Sequence, residues 1–412
     1  MDRTFVLSGV TLVTPEQSIP NGGLTVSDGQ IAELAALPAT HTLDMREHLV
    51  FPGLLNAHDH LFGTWWPRVA PNRPYANVYD WLADYEKSPV LLERGRNSIA
   101  DMYALGAYRN MIAGATLVAD HFTRNEDTGL YTRHPIDVLY RYGRTWTMRK
   151  PTSWGDDIPT EYRHAVQTET PYIVHLAEGV DDETAQEMDG LIEHDAVGRC
   201  TLIIHGIALR PSDMKRLHQA RASVCWCPAS NLFLYDRTAN VRALVDAGVN
   251  VTLGTDSAMT GGLNLLDEAR TGRQAYRQMY GEDPSPQWLV ELMTTHAAYA
   301  LRMEDRRGKL AASYQADLLV LPDKGQDPYA TLIDAEPSDI VLLIHNGIPV
   351  YGDVAYHDLF ERLTPAFSSV LVSGVPKLVA GDLPGLLVRV ANNATKAVQF
   401  PFLPCAPTEV SA

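Results

Sequence analysis

Three observations predict an α/β protein built around a (β/α)8 TIM barrel. Between residues 51 and 307, apolar runs with the length of strands alternate with amphipathic helical segments. The four later runs begin near residues 172, 201, 223 and 249, and each step holds one strand and one helix. Repeated βα units over about 250 residues favour an eight-stranded barrel, with an open doubly wound sheet as the alternative. Strand patterns at both chain ends predict a second, smaller β domain.

The first β segment covers residues 1–50. Leu24–Val26 and Ile31–Leu34 flank the sequence Ser27-Asp28-Gly29-Gln30. This pattern predicts a hairpin, because an Asp-Gly pair supports the two positive φ angles of a tight turn. The sequence changes character at Val50-Phe51-Pro52-Gly53-Leu54, so the barrel is expected to begin at residue 51.

The apolar runs of the barrel segment contain few polar residues, which is typical of parallel strands covered on both faces. They are Leu54–Ala57, Thr116–Ala119, Tyr172–His175, Thr201–His205, Ser223–Trp226 and Val249–Leu253. The predicted helices between and after them are Asp182–His194, Pro211–Arg221, Ala239–Ala247 and one from Ser285 to about Leu301. Two strands and their helices must share residues 120–171, so shortened or irregular units are expected there.

Strand signals return after residue 307. Strands are predicted at Ala316–Leu321 and in a hairpin with Asn346-Gly347 at its turn. These strands do not form a barrel of their own. They are expected to join residues 1–50, so that both chain ends build one small composite β-sandwich domain. The predicted organisation places the amino-terminal strands of this β-sandwich at 1–50 and the barrel at 51–307. The remaining β-sandwich strands and a C-terminal extension are expected at 308–412.

The composition excludes several classes of protein. The 412 residues carry 34 Lys and Arg against 50 Asp and Glu, and no Lys/Arg-rich run, which argues against nucleic-acid and anionic-membrane partners. No apolar run approaches the roughly 20 residues of a membrane span, and the first residues lack the pattern of a signal peptide. Four cysteines are too few for a disulfide framework, so a cytoplasmic protein is expected.

Six polar residues stand at or just after the ends of apolar runs. They are His58, His60, His175, Glu178, His205 and Asp256. The first two are separated by one residue and therefore lie on the same side of a strand. Taken singly, each residue is better explained as a buried histidine with satisfied hydrogen bonds or as an acidic residue that caps the next helix. The carboxyl ends of barrel strands share the face on which active sites are built, so the whole set predicts a metal site.

The same motifs resemble those of the amidohydrolase superfamily. The segment from Phe51-Pro52-Gly53 to His58-Asp59-His60 resembles the opening metal motif of that family. His175-Leu176-Ala177-Glu178, His205 and Gly254-Thr255-Asp256-Ser257 look like its later site motifs, in the same order. The spacing is similar to that of the one-metal branch with cytosine deaminase, S-adenosylhomocysteine deaminase and triazine hydrolases. The resemblance spans nearly the whole chain and implies a distorted barrel with one catalytic divalent metal.

Carried over by position, the resemblance implies a set of metal ligands: His58, His60, His175 and Asp256. Three imidazoles and a carboxylate suit Zn²⁺, with Fe²⁺ as the alternative. Such a metal lowers the pKa of a bound water to about 7 and so supplies hydroxide. The expected catalytic residues are Glu178, His205 and Asp256. His205 and Asp256 would orient the water and take its proton, and Glu178 would protonate the substrate nitrogen and the departing amine.

Substrate contacts are predicted from residues near the strand ends. The predicted contacts are Phe62, Trp65, Trp66, His121 and Trp226. The first three follow the opening motif and could stack on a flat heterocycle, with packing of their own loop as the alternative. Ser230 and Asn231 are expected to cap the turn after the seventh strand.

The leading hypothesis is a metal-dependent hydrolase that deaminates a nitrogen heterocycle of the purine, pyrimidine, pterin or triazine type. Hydrolysis of an amide, a lactam or another C–N or C–Cl bond is the alternative, since the same site serves all of them. A catalytically inactive homologue that acts in binding or assembly is a third hypothesis, although no ligand position is missing. The resemblance also suggests a homodimer or larger homo-oligomer. The substrate itself is not specified by the sequence.

Overall fold

The computed structural model describes residues 3–407. Its strands form three groups along the chain. The first group is β1 (Phe5–Val13), β2 (Ser18–Ser27), β3 (Gln30–Glu33), β4 (Thr42–Asp44) and β5 (His48–Pro52). The second is β6 (Leu54–Asp59), β7 (Ala115–Asp120), β8 (Asp137–Leu139), β9 (Gly143–Thr145), β10 (Tyr172–Leu176), β11 (Thr201–His205), β12 (Ser223–Trp226) and β13 (Asn250–Leu253). The third is β14 (Leu318–Pro322), β15 (Leu342–His345), β16 (Ile348–Asp353), β17 (Phe367–Val372), β18 (Val375–Ala380) and β19 (Cys405–Pro407).

The helices follow the strands of the second and third groups. Those of the barrel segment are α1 (Val78–Tyr85), α2 (Pro89–Arg94), α3 (Ile99–Met111), α4 (Gly129–Thr132), α5 (Ile158–Thr168), α6 (Glu187–Glu193), α7 (Pro211–Ala220), α8 (Pro228–Tyr235), α9 (Val241–Asp246), α10 (Leu265–Tyr280), α11 (Pro286–Leu292) and α12 (Thr295–Ala300). The later ones are α13 (Pro328–Ile333), α14 (His357–Leu363) and α15 (Leu383–Asn393). Within residues 3–407, none of them has both the length and the apolar character needed to cross a membrane.

The eight strands β6–β13 are all parallel, as predicted, and lie in two sheets. One sheet has the order β6-β7-β8 and the other the order β13-β12-β11-β10-β9. No strand ladder joins the two sheets in the described part of the chain, so a closed barrel is not established. Alternate residues of both sheets nevertheless meet in one buried cluster, which includes Leu55, Leu117, Ile173, Leu202 and Cys225. The α/β class and the parallel strands are therefore confirmed, whereas closure of the barrel is not.

Two segments depart from regular βα units. In residues 120–171, β8 and β9 have three residues each and no helix between them, which confirms the expected irregularity. The single helix predicted from Ser285 to Leu301 is wrong, because α11 ends at Leu292 and α12 begins at Thr295. Met293 O accepts a hydrogen bond from Leu55 N at 2.8 Å, so this carbonyl serves β6 instead of a continuous helix.

Strands from both chain ends form one eleven-stranded sheet. The link between the ends is the antiparallel pair of β5 and β14, and the predicted boundary at residue 50 falls inside β5. Both predicted hairpins are confirmed, β2 with β3 and β15 with β16, and their turn residues Asp28-Gly29 and Asn346-Gly347 all have positive φ. The predicted β-sandwich is not confirmed, since ladders join all of these strands in a single sheet.

A network of charges, buried except for the half-exposed Asp137, ties this sheet to the amino-terminal end of the barrel strands. His345, the last residue of β15, has Nδ1 2.9 Å from Asp317 Oδ1 and Nε2 3.4 Å from Asp137 Oδ1. Arg307 contacts both carboxylates, with Nη1 3.1 Å from Asp317 Oδ2. Burial alone would lower the pKa of His345, but the two carboxylates outweigh it and raise that pKa to about 9.

The raised pKa of His345 predicts a loss of stability at alkaline pH. The charged imidazolium stabilises the fold fully below its ordinary pKa of about 6.5, and this contribution is lost as pH rises through about 9. We expect His345→Asn to lower the free energy of unfolding by about 3 kcal/mol at pH 6, with a deficit that shrinks towards pH 10. Thermal unfolding at fixed scan rate measures this. The exposed His164→Asn on α5 is the control, and a deficit independent of pH would contradict the interpretation.

Candidate metal and catalytic site

The predicted site residues lie at the carboxyl ends of the parallel strands. His58 and His175 lie near the ends of β6 and β10, and His205 is the last residue of β11. Asp256 follows β13 by three residues. His205 and Asp256 have φ angles of 71° and 57°, a backbone conformation that non-glycine residues rarely adopt. Strain of this kind persists where the surrounding structure fixes it, and it is concentrated at functional sites.

Four of these side chains converge on one point. Asp256 Oδ1 lies 3.6 Å from His58 Nε2 and 3.3 Å from His60 Nε2. One ligand atom from each of these three residues lies within 4.8 Å of the others. The ring of His175 has its centroid 5.0 Å from that of His58 and 5.2 Å from that of His60. The spacing suits a single cation held between three imidazoles and a carboxylate.

The state of the imidazoles fits a bound cation. His58 is completely buried, yet neither of its ring nitrogens has a hydrogen-bond partner. Burial lowers the pKa of His58 to about 3 and that of His175 well below its ordinary value. These two rings are therefore neutral at physiological pH, which is the form that binds metals, whereas at His60 the Asp256 carboxylate outweighs burial and raises the pKa. A buried nitrogen without a partner is costly, and a metal ion would satisfy it.

Neighbouring groups orient the other atoms of these side chains. His175 Nδ1 donates to Trp146 O at 2.9 Å, and His60 Nδ1 donates to the carbonyl of His121. Because Nδ1 of each ring is engaged in this way, Nε2 is the nitrogen that remains available to the centre of the cluster. Asp256 Oδ2 accepts hydrogen bonds from Ser230 Oγ at 2.5 Å and Thr260 Oγ1 at 3.0 Å, which leaves Oδ1 towards the histidines.

A second pair of groups lies beside this cluster. Glu178 Oε1 is 3.5 Å from His205 Nε2 and accepts a hydrogen bond from the hydroxyl of Tyr235 at 2.8 Å. His205 Nδ1 donates to Asn231 Oδ1 at 2.8 Å. Burial raises the pKa of Glu178 well above its ordinary value, chiefly by desolvation, with the Asp256 charge as a further cause. Glu178 can therefore hold a proton near neutral pH and give it to a group in the cavity.

Arg109 holds the two sides of the cluster together. This completely buried side chain of α3 donates from Nη1 to both oxygens of Asp59 at 3.0 Å, and Asp59 stands between His58 and His60. The same nitrogen lies 3.3 Å from Asp256 O, while Nη2 donates to Gly262 O at 2.7 Å. One guanidinium thus joins the end of β6 to the loop after β13.

The C-terminal segment covers this ion pair. The guanidinium carbon of Arg109 lies 5.8 Å from the ring centroid of Phe402. The neighbouring Phe400 packs against Trp65 at a centroid distance of 5.2 Å. Phe402 is completely buried, so the aromatic pair shields the charges from water on this side.

A cavity of about 280 Å³ opens above the cluster. One side of it is lined by His60, His175, Glu178, His205 and Asp256. Its remaining wall is mostly apolar or aromatic and includes Phe62, Val78, Trp81, Leu82, Tyr85, Phe122, Trp146, Trp154 and Leu234. Helix α1 supplies four of these residues, and its first amide, Val78 N, donates to Glu178 O at 3.1 Å. This hydrogen bond thus ties Glu178 to α1, the helix that forms part of the apolar wall of the cavity.

Among the predicted substrate contacts, Phe62 alone lines this cavity. Trp65 is buried against Phe400, which is the packing alternative for its loop. Trp226 is completely buried and donates from Nε1 to Thr238 Oγ1 at 2.7 Å, away from the cavity. Trp66 lines a separate cavity, with Ala229 and Phe233 of α8. These three tryptophans are not placed to touch a substrate above the cluster.

His121 has a different environment from the one expected. It is completely buried, its ring stacks on His175 at 4.7 Å, and its two nitrogens have no hydrogen-bond partner. With His58 and His175 it forms a second set of closely spaced nitrogen donors. The side chain therefore lies against His58 and His175 and does not line the cavity above the cluster.

Several residues of the site were not predicted from the sequence. Trp146 and Trp154 stack on each other at 4.9 Å, and both lie in the irregular stretch between β9 and β10. The expectation that Ser230 and Asn231 cap a turn is wrong, since both lie inside α8 and bond to Asp256 and His205. Two adjacent polar residues shortly after a barrel strand are the pattern that could have indicated this role.

Residues 163–351 match the amidohydrolase family. The chain is 27% identical to 8-oxoguanine deaminase of Pseudomonas aeruginosa, over 91% of this chain and all of that protein. It is 24% identical to 5-methylthioadenosine/S-adenosylhomocysteine deaminase of Pyrococcus furiosus, over 77% of this chain and 86% of that protein. The resemblance to the amidohydrolase superfamily that the motifs indicate is thereby confirmed.

Solved structures with the same overall fold cover nearly the whole chain. An adenosine deaminase from Xanthomonas campestris with bound zinc has a TM-score of 0.75 and 18% identity, over 94% of this chain and 97% of that one. Atrazine chlorohydrolase from Arthrobacter aurescens, complexed with zinc, has a TM-score of 0.73 and 18% identity, over 94% and 99%. At this level of identity the likeness establishes the fold.

The role of Arg109 predicts a loss of metal affinity when it is replaced. Arg109→Gln leaves the Asp59 carboxylate buried without its cation and releases the loop that carries Asp256. We expect zinc affinity to fall about 10- to 100-fold, as for other groups that orient metal ligands. Competition with a chelator of known affinity measures it. Arg307→Gln removes a similarly buried arginine at the opposite strand ends and is the control. A folded Arg109→Gln protein with unchanged zinc affinity would rule out this role.

Proposed function

We propose that this chain, whose sequence and fold resemble the amidohydrolase superfamily, is a metal-dependent hydrolase that deaminates a nitrogen heterocycle. The observation that carries the proposal is the position of Glu178. This buried acid, whose pKa is raised, lines the same cavity as His60, His175 and Asp256 of the cluster. A proton donor beside a hydrolytic centre is what expulsion of an amine requires.

The proposed metal ligands are His58, His60, His175 and Asp256, with Zn²⁺ as the ion. Zinc accompanies the related folds of the adenosine deaminase and the chlorohydrolase. Three imidazoles and a carboxylate are common zinc donors. When bound, the ion supplies an activated water nucleophile at neutral pH. A homodimer remains part of the proposal on the strength of the family resemblance alone.

The proton transfers are assigned to residues beside the cluster. Asp256 and His205 orient the attacking water and accept its proton, and Asn231 fixes the His205 ring for this task. Glu178 protonates the ring nitrogen next to the carbon under attack, and a proton passed through it then leaves with the amine. The balanced reaction converts the aminoheterocycle and water into the oxo-heterocycle and ammonia.

The shape of the cavity supports a flat, largely apolar substrate. Trp154 is close to the cluster, with its ring 5.6 Å from His60 and 5.8 Å from His175. Phe122 continues the same aromatic wall at 5.2 Å from Trp154, and Phe62 follows at 5.0 Å from Phe122. A heterocycle can stack on such a wall while its amino carbon reaches the centre. Deaminase relatives in two substrate groups agree with this class of substrate.

The proposed reaction is tested by ammonia release. We expect the zinc-loaded protein to release one ammonia per molecule of an aminopurine, aminopyrimidine, aminopterin-type ring or aminotriazine consumed. Protein stripped of metal by a chelator is the control and should be inactive until zinc is restored. Ring opening of a lactam, or chloride release from a chlorotriazine, without any ammonia from the amino compounds would favour the alternative hydrolase.

Replacement of Glu178 tests the assigned acid. Glu178→Gln keeps the shape of the side chain but cannot exchange the proton, so we expect kcat to fall at least about 100-fold with zinc content unchanged. Steady-state ammonia release and elemental analysis measure the two quantities. Glu193→Gln, an exposed carboxylate of α6, should behave like the unmodified protein. Near-normal turnover in Glu178→Gln would refute the mechanism.

A further inference from the structure

A second cavity lies on the other side of helix α8 from the proposed catalytic site. Its volume is about 360 Å³, larger than a water cluster or a single inorganic ion needs. The wall from α8 is formed by Ala229, Leu232 and Phe233, while the next residue, Leu234, lines the catalytic cavity. The two cavities are therefore separate and share one helix as their partition.

Two exposed arginines line this second cavity and lie against the same aromatic ring. The guanidinium carbons of Arg68 and Arg73 lie 4.1 Å and 4.8 Å from the ring centroid of the same residue, Phe233. Neither arginine has a carboxylate within 4.0 Å among residues 3–407. Burial lowers the pKa of Arg68 and the charge of Arg73 lowers it further, while the more distant charges of Asp267 and Glu268 act in the opposite direction. Both guanidinium groups thus line the cavity without a paired carboxylate among residues 3–407, although the chain as a whole has an excess of carboxylates.

The carboxylate in the wall of this cavity is already engaged. Asp267 Oδ2 accepts a hydrogen bond from Leu263 N at 2.9 Å, and Oδ1 lies 3.9 Å from Arg270 Nη2. It stays outside ion-pair distance of Arg68 and Arg73. The cation pair therefore keeps its capacity for an added anion.

We propose that this cavity binds a small organic oxyanion. The two guanidinium groups, whose planar N–H donors match the geometry of carboxylate and phosphate, hold the charged end. Phe233, Trp66 and Leu232 contact the apolar body that fills the remaining volume. The ligand sits on α8, the helix whose Ser230 and Asn231 hold Asp256 and His205. The site is distinct from the catalytic cavity and does not rest on the proposed reaction.

Binding of phenyl phosphate and benzoate to the zinc-loaded protein tests the proposal. Benzamide, which has the same ring but no charge, is the ligand control. We expect at least one of the two anions to bind with one-to-one stoichiometry in isothermal titration calorimetry, and to bind at least tenfold more tightly than benzamide. The double variant Arg68→Gln/Arg73→Gln should weaken this binding at least tenfold. Whichever anion binds more tightly identifies the oxyanion as phosphate or carboxylate.

A matched variant separates the cavity from general electrostatics and from the catalytic site. Arg163→Gln/Arg216→Gln removes two exposed arginines of α5 and α7 and changes the net charge equally. It should bind the anions as the unmodified protein does. Circular dichroism and the melting temperature establish that both double variants are folded. The proposal is overturned if neither anion binds, if benzamide binds as tightly, or if the two double variants lose the same affinity. Unchanged binding in Arg68→Gln/Arg73→Gln would place the anion elsewhere, for example in the catalytic cavity, and also overturns it.

Discussion

The buried ion pair of Arg109 and Asp59 is the interaction on which the arrangement of the site depends. A carboxylate in this position is unfavourable by itself, because it is fully desolvated, and only a cation with several hydrogen bonds makes it tolerable. Arg109 meets that requirement and at the same time bonds to the carbonyls of Asp256 and Gly262. The energetic need to neutralise one charge therefore fixes the distance between two segments that lie far apart in the sequence.

The polar side chains of α8 extend the same arrangement to the other half of the site. Ser230 and Asn231 are neighbours in the sequence, yet one holds Asp256 and the other holds His205. The amino-terminal turn of the helix is itself held by Glu268, which accepts from Ala229 N at 2.7 Å and Gly262 N at 3.1 Å. One short helix thus orients both Asp256 and His205.

The sequence alone was sufficient to locate those site residues whose positions are set by a strand. His58, His60, His175 and His205 could be located because apolar runs indicate parallel strands and the strand ends share one face.

The sequence could not locate residues whose position depends on which distant segment packs against them. The sequence suggests that Trp65 lies at the mouth of the barrel, whereas in the structure it packs against Phe400. The sequence around Arg109 predicts an ordinary helical arginine and gives no sign of its role in the site. The aromatic wall was also missed, because Trp146 and Trp154 lie in a stretch without periodicity and their stacking is a tertiary contact. For the same reason the sheet shared by both chain ends could be expected, but its arrangement could not.

The packing of Phe402 over Arg109 has a consequence for the order in which the chain acquires its function. All of the side chains assigned to catalysis are synthesised by residue 256, whereas the ring that shields their central ion pair comes near the end of the described residues. A nascent chain emerging from the ribosome would thus carry all of the proposed ligands around a charge pair still open to water. Shielding of this pair is then a late event of folding, reached only after Phe402 has docked.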